Sequence, residues 1–184
     1  AQATHLVVVN PLPTISIQGG NMPELCLGAT YQLTPNVVGT APYSYEWSDG
    51  GPLTITSETY LFNQSQTSGP KTVNVKVTDA LGCEADIDVI VTVHPLPIVD
   101  IIPNNPYICI DVEQPLEAVV SGNGTAPYIY TWSALQGNIT SVDKNAHFSA
   151  QKAGNYVVSV VVRDAHNCSA NATELITVNP YATL

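Results

Sequence analysis

The sequence predicts an all-β protein made of two tandem β-sandwich domains, and three observations carry that expectation. The first is repetition. Gly39-Thr40-Ala41-Pro42-Tyr43-Ser44-Tyr45-Glu46-Trp47-Ser48 returns as Gly124-Thr125-Ala126-Pro127-Tyr128-Ile129-Tyr130-Thr131-Trp132-Ser133. Val77-Thr78-Asp79-Ala80-Leu81-Gly82-Cys83 returns as Val162-Arg163-Asp164-Ala165-His166-Asn167-Cys168. The offset, about 85 residues, is the period of an array of like modules. The second is period-two alternation of apolar and polar residues between Gly, Pro, Asn and Asp, the signature of strands. The third is composition: Thr, Val, Asn and Ser abound, and good helix formers at helical spacing are nearly absent. A chain of 184 residues with this period makes two domains, each able to bury its own core.

Taken in order, Ala1–Val9 align with Ala85–Val93, the last strand of a repeat. Residues 1–10 therefore read as the terminal strand of a preceding repeat, or as a strand donated to a neighbour. Residues 11–94 read as the first sandwich and 95–184 as the second. Strands are expected near 13–18, 29–37, 43–48, 53–61, 71–79 and 85–93, then near 97–102, 116–121, 128–133, 138–148, 155–164 and 170–178. That number suits a small β-sandwich. The clearest strand is Lys71–Val77, which sends Val73, Val75 and Val77 to one face and Asn74 and Lys76 to the other. Its counterpart aligns Val158, Val160 and Val162. A one-residue slip would exchange the two faces, so the register is well specified.

The turn after this strand is readable too. Gly82 and Asn167 share the capacity for left-handed backbone that closes such a hairpin, and Asp79 and Asp164 can accept hydrogen bonds from turn amides. Tyr43, Tyr45 and Trp47 share a face, as do Tyr128, Tyr130 and Trp132. The reading favours Trp47 and Trp132 as central core residues over a sugar-stacking platform, since the ring face meets the valine face. His94-Pro95-Leu96-Pro97 lacks glycine and holds two prolines, so the junction reads as a semi-rigid spacer between modules set end to end as a rod.

Five basic residues stand against fifteen acidic ones, for a net charge of -10. That charge repels phosphate backbones and anionic membranes, so nucleic acid is excluded as a partner. No apolar run reaches the roughly 18 residues that span a bilayer, so this segment does not insert into a membrane. No Gly-x-Ser-x-Gly, His-Glu-x-x-His, phosphate loop or dinucleotide motif occurs, which argues against an enzyme.

Cys26-Leu27-Gly28, Gly39-Thr40-Ala41-Pro42-Tyr43-Ser44-Tyr45-Glu46-Trp47 and Val75-Lys76-Val77-Thr78-Asp79-Ala80-Leu81-Gly82-Cys83 resemble the PKD-like and immunoglobulin-like repeats of large Bacteroidetes cell-surface proteins. Gliding-motility adhesins of the SprB type belong to that group. The chain departs from it where the Trp-Asp-Phe-Gly-Asp-Gly run of PKD domains stands only as Trp47-Ser48-Asp49-Gly50-Gly51, and as Trp132-Ser133-Ala134 in the second repeat. The resemblance implies an immunoglobulin-like fold, a cell-surface location, export by the type IX system, and a role as stalk or adhesive filament.

The repeat offset pairs the four cysteines as Cys26–Cys83 and Cys109–Cys168, although in a simple immunoglobulin topology those positions lie toward opposite poles, beyond the roughly 7 Å a disulfide spans. Zinc is the weaker alternative, because no Cys-x-x-Cys occurs and no histidine recurs beside the cysteines. Calcium is weighed at Asp79, Asp86, Asp88, Asp100, Asp111 and Asp164, but no Asp-x-Asp-x-Asp-Gly spacing occurs. Turn capping and solvated acidic surface are favoured there, with no cofactor expected. His5, His94, His147 and His166 read as turn or surface residues. The function read from the sequence is a structural repeat of a long extracellular adhesin or filament, partnered by neighbouring repeats and by surface polysaccharide or like subunits. The alternatives are a glycan-binding module of a polysaccharide-degrading enzyme, using Tyr31, Tyr60, Tyr107 and Tyr181, and a fibre subunit assembled by strand exchange through residues 1–9.

Overall fold

A computed structural model of the chain describes residues 4–51, 54–63 and 65–181. The fold divides between Val93 and His94 into two compact units. Each has its own apolar core, and among the described residues there is no helix. Both units are immunoglobulin-like β-sandwiches.

The first unit runs through β1 (Thr14–Ile17), β2 (Glu24–Cys26), β3 (Tyr31–Leu33), β4 (Pro35–Val38), β5 (Ser44–Ser48), β6 (Tyr60–Phe62), β7 (Gly69–Thr78) and β8 (Glu84–His94). One layer is the sheet β2-β8-β7-β5, and two short pairs, β1–β4 and β3–β6, supply the other. β7 and β8 pair antiparallel from Gly69 opposite Val93 to Thr78 opposite Glu84. That register buries Val73, Val75, Val77, Val89, Val91 and Val93 against Trp47, Leu33 and Phe62. Each buried valine is worth roughly 1.5–3 kcal/mol, which is why the polar residues between them face out.

The second unit repeats the plan with longer strands: β9 (Ile98–Ile102), β10 (Tyr107–Cys109), β11 (Gln114–Gly122), β12 (Ile129–Ala134), β13 (Asn138–Val142), β14 (Asn145–Ser149), β15 (Gly154–Arg163) and β16 (Ser169–Asn179). Its layers are β10-β16-β15-β12 and β13-β14-β11-β9. Val158, Val160 and Val162 face Trp132, Phe148, Ile101 and Ile176. The single strand β11 stands where β3 and β4 are split at Thr34, whose carbonyl accepts the Gln18 N–H at 2.9 Å.

Four departures from the sequence reading have physical causes. Residues 138–148 form a hairpin and not one strand, because Asp143 takes φ 56° and turns the chain without a glycine. The strand expected over 53–61 is present only as Tyr60–Phe62, with Leu53 outside the described residues. Ile55 bridges Trp47, and the Ser57 carbonyl turns in to accept the Trp47 indole N–H at 2.8 Å. β2 and β10 were not expected: three-residue strands behind a proline carry no alternation to detect. Finally, residues 4–10 form no strand, and Leu6, Val7, Val8 and Val9 are exposed. Residues 1–3 of that expected strand lie outside the described residues.

Candidate functional site

The three motifs that repeat in the sequence converge at one pole of each unit, where the chain enters it. Gly39 lies against Pro13, so that a Cβ there would sit 3.1 Å from the proline Cβ; Gly124 lies against Pro97 in the same way, at 3.0 Å. The following threonine then holds the hairpin turn. Ala80 N–H donates to the Thr40 carbonyl at 2.9 Å, and Ala165 N–H to the Thr125 carbonyl at 2.8 Å. The turns themselves are built alike. Asp79 Oδ1 accepts the N–H groups of Leu81 and Cys83, and Asp164 Oδ1 those of His166 and Cys168, all four at 2.9 Å. Gly82 and Asn167 sit at φ 76° and 63°, the left-handed backbone each turn requires.

Asp79 and Asp164 are both buried. In the second unit the clasp closes one bond further, since Thr125 N–H donates to Asp164 Oδ2 at 3.1 Å. Burial pushes the Asp164 carboxyl up, but the amides of Thr125, Cys168 and His166 outweigh it and hold the group below the usual carboxylate range. These carboxylates are engaged by fixed backbone amides, which fasten the loop and the turn together at each pole. The repetition in the sequence is thus the imprint of one clasp, made twice.

The other carboxylates weighed for calcium are dispersed. Asp86 and Asp88 both accept from Asn74 Nδ2, at 3.3 and 2.9 Å, on the outer face of the β7–β8 pair. Asp100 Oδ1 accepts the Ile101 N–H, and Asp111 sits in a turn at φ 59°. Lys76 lies between Glu84 at 3.0 Å and Glu46 at 3.7 Å, and the bond to Glu84 raises its ammonium pKa. Lys144 meets Glu117 at 2.6 Å. Such exposed pairs contribute little to stability.

The expected disulfides Cys26–Cys83 and Cys109–Cys168 are not formed, because Cys83 and Cys109 are free thiols. The reason is the edge strand that the sequence reading lacked. β10 runs parallel to β16 with Cys109 opposite Asn179, whereas Cys168 precedes Ser169 at the other end of that strand. Eleven residue steps, from 168 to 179, at about 3.3 Å each separate the two by roughly 36 Å, far outside disulfide reach. The first unit is built alike. Thr92 N–H donates to the Pro23 carbonyl, which sets Cys26 at the end of β8 remote from Cys83.

Trp47 and Trp132 are buried, with their indole N–H groups on the Ser57 and Asp143 carbonyls. Tyr60 is buried as well, stacked on Trp47 at 5.5 Å, and donates to Asp49 Oδ2 at 2.6 Å. Burial, then that bond, pushes its hydroxyl far above the usual range. Asp49 Oδ1 also accepts the Gly51 N–H at 3.0 Å. In the remnant Trp-Ser-Asp-Gly-Gly run, Trp47 is core, and Asp49 ties the half-exposed turn that follows to Tyr60. Of the tyrosines considered for sugar stacking, Tyr31 is half-buried, while Tyr107 and Tyr181 are exposed. A depression in the second unit, about 610 Å³, is open and lined by Asp111, Glu113, Gln136, Lys152 and Tyr156 among others.

No family model matches the chain, and no curated protein matches it. Similar solved structures include the fibronectin(III)-like modules of Clostridium thermocellum CbhA, at 15% identity and a TM-score of 0.47, covering 91% of this chain and 95% of that one. A variant of three titin immunoglobulin domains matches at 14% identity and a TM-score of 0.45, covering 94% and 67%. The PKD domain of human KIAA0319 matches at 20% identity and a TM-score of 0.37, covering 48% and 88%.

Proposed function

We propose that this chain is a non-enzymatic repeat region of a long extracellular adhesin or surface filament, where it serves as stalk. The observation that carries the reading is the duplicated clasp: each unit ties the incoming proline, the Gly-Thr-Ala-Pro loop and the Asp turn into one hydrogen-bonded fastening, anchored on a buried proline and a buried Asp. A fastening at the point where the chain enters suits modules that transmit load in series. The acidic surface, with a net charge of -10, keeps such a segment soluble and apart from anionic membranes. The resemblance to gliding-motility adhesins supports export by the type IX system and attachment at the cell surface, with neighbouring repeats of the same chain as first partners.

The test is location. Antibodies raised against the folded chain, used for immunogold microscopy of intact cells, are expected to decorate extracellular material. Labelling that appears only after the cells are lysed would overturn the proposal.

A further inference from the structure

The segment that leads into the first unit is apolar at Leu6–Val9, lies outside any strand and is uncovered. Leu6, Val7, Val8 and Val9 are 91%, 79%, 71% and 87% exposed. Four consecutive uncovered aliphatic residues are unusual on a soluble surface and mark an interaction site. The sequence states which one. Thr4-His5-Leu6-Val7-Val8-Val9-Asn10-Pro11 matches Thr173-Glu174-Leu175-Ile176-Thr177-Val178-Asn179-Pro180, with identity at Thr4, Leu6, Val9, Asn10 and Pro11. The matched residues lie on β16, the last strand of the second unit.

The segment also stands to the first unit as β8 stands to the second. Val9-Asn10-Pro11-Leu12-Pro13 leads into β1 as Val93-His94-Pro95-Leu96-Pro97 leads into β9, with Pro13 and Pro97 under Gly39 and Gly124. In β8 and β16 the positions equivalent to Val7 and Val9 are buried: Val91 and Val93 in one, Ile176 and Val178 in the other. The position equivalent to Leu6 faces outward in both, at Ile90 and Leu175. Both sandwiches already hold their own last strand, so a second copy of this chain offers no vacant place.

We infer that residues 4–9 are the closing strand of a further module of the same repeat type, joined to this one in cis. They pair antiparallel with that module's counterpart of β7, with Val7 and Val9 inward and Leu6 outward. This deepens the repeat reading and rests on it, but it does not depend on where the protein is located.

A tandem extension tests it. A copy of residues 95–172, which ends before most of β16, is placed directly ahead of residue 4 in the otherwise complete chain. Residues 4–9 are then the strand available to close the added copy. Calorimetry is expected to show one more cooperative transition than the parent chain, and the amides of residues 6–9 to exchange about 10³-fold more slowly than in the parent. Val7→Asp with Val9→Asp is expected to remove that transition alone. An added copy that stays unfolded while the original units melt as before overturns the inference and leaves the proposed function standing. Parent chain that dimerises in the ultracentrifuge, with residues 6–9 protected, also overturns it, because the partner is then a second copy.

Discussion

Removing the Asp164 carboxylate tests the clasp most sharply. The side chain is buried and accepts three backbone N–H groups, two at 2.9 Å and one at 3.1 Å. Each hydrogen bond to a charged group is worth about 1.5–3 kcal/mol, so the three sum to roughly 5 kcal/mol at the low end. Bonds that share one acceptor group are not additive, and Ala165 and Asn167 keep their backbone bonds to Thr125 and Asp164, so Asp164→Ala should cost about 3 kcal/mol. At about 4–8 °C per kcal/mol, that lowers the melting temperature of the second unit by roughly 12–24 °C. In a Trp47→Phe background, Trp132 fluorescence reports that unit by itself. The pH dependence follows from the direction of the shift. A carboxyl held below its unfolded value of about 3.9 contributes stability that is present above that pH and is lost as the pH falls through the folded pKa. The gap between the parent and Asp164→Asn should therefore narrow as the pH falls below about 4. A loss under about 1 kcal/mol, or a gap that is constant with pH, would refute the assignment of the clasp as the second unit's fastening.

Three further outcomes are expected. Gly124→Ala places a methyl 2.9 Å from the Tyr128 ring and 3.0 Å from the Pro97 Cβ, and overpacking of this kind costs about 1–3 kcal/mol in thermal unfolding, with Gly39→Ala behaving similarly in the first unit. Tyr60→Phe strips the Asp49 carboxylate of its buried donor and should destabilise the first unit by about 1–2 kcal/mol while leaving the second unit's melt unmoved. Native-state thiol labelling followed by mass spectrometry should modify Cys109 and then Cys83, and Cys83→Ser with Cys109→Ser should shift stability by no more than about 0.5 kcal/mol.

Much of this architecture could be read from the residues because burial leaves a periodic trace. Val73, Val75 and Val77 alternate with polar residues, and the structure buries all three. The Asp turns were legible as well, since Asp, Ala and a left-handed Gly or Asn leave few other ways to close a hairpin. What sequence could not supply was contact between distant short segments. β2 and β10 are three residues long and depend on the far ends of β8 and β16 for their pairing. Without them the cysteine offset suggested bonds that the strand directions forbid. The convergence of Pro13, Gly39 and Asp79 at one pole was likewise hidden, although the shared repetition of their motifs was the signal that could have found it. Tyr60 shows the same limit: the glycan-binding alternative weighs it for sugar stacking, and its contact with the Asp49 carboxylate and with Trp47, distant in sequence, places it in the core.

Two modules, each with its own core and its own clasp, should unfold one after the other under load. Pulling single molecules of the chain by its ends in reducing buffer tests this directly. Two separate unfolding events are expected, each releasing about 85 residues, or roughly 300 Å of contour at about 3.6 Å per residue, less the folded length. One event that releases the whole chain at once, or extension with no resisting event, would contradict it.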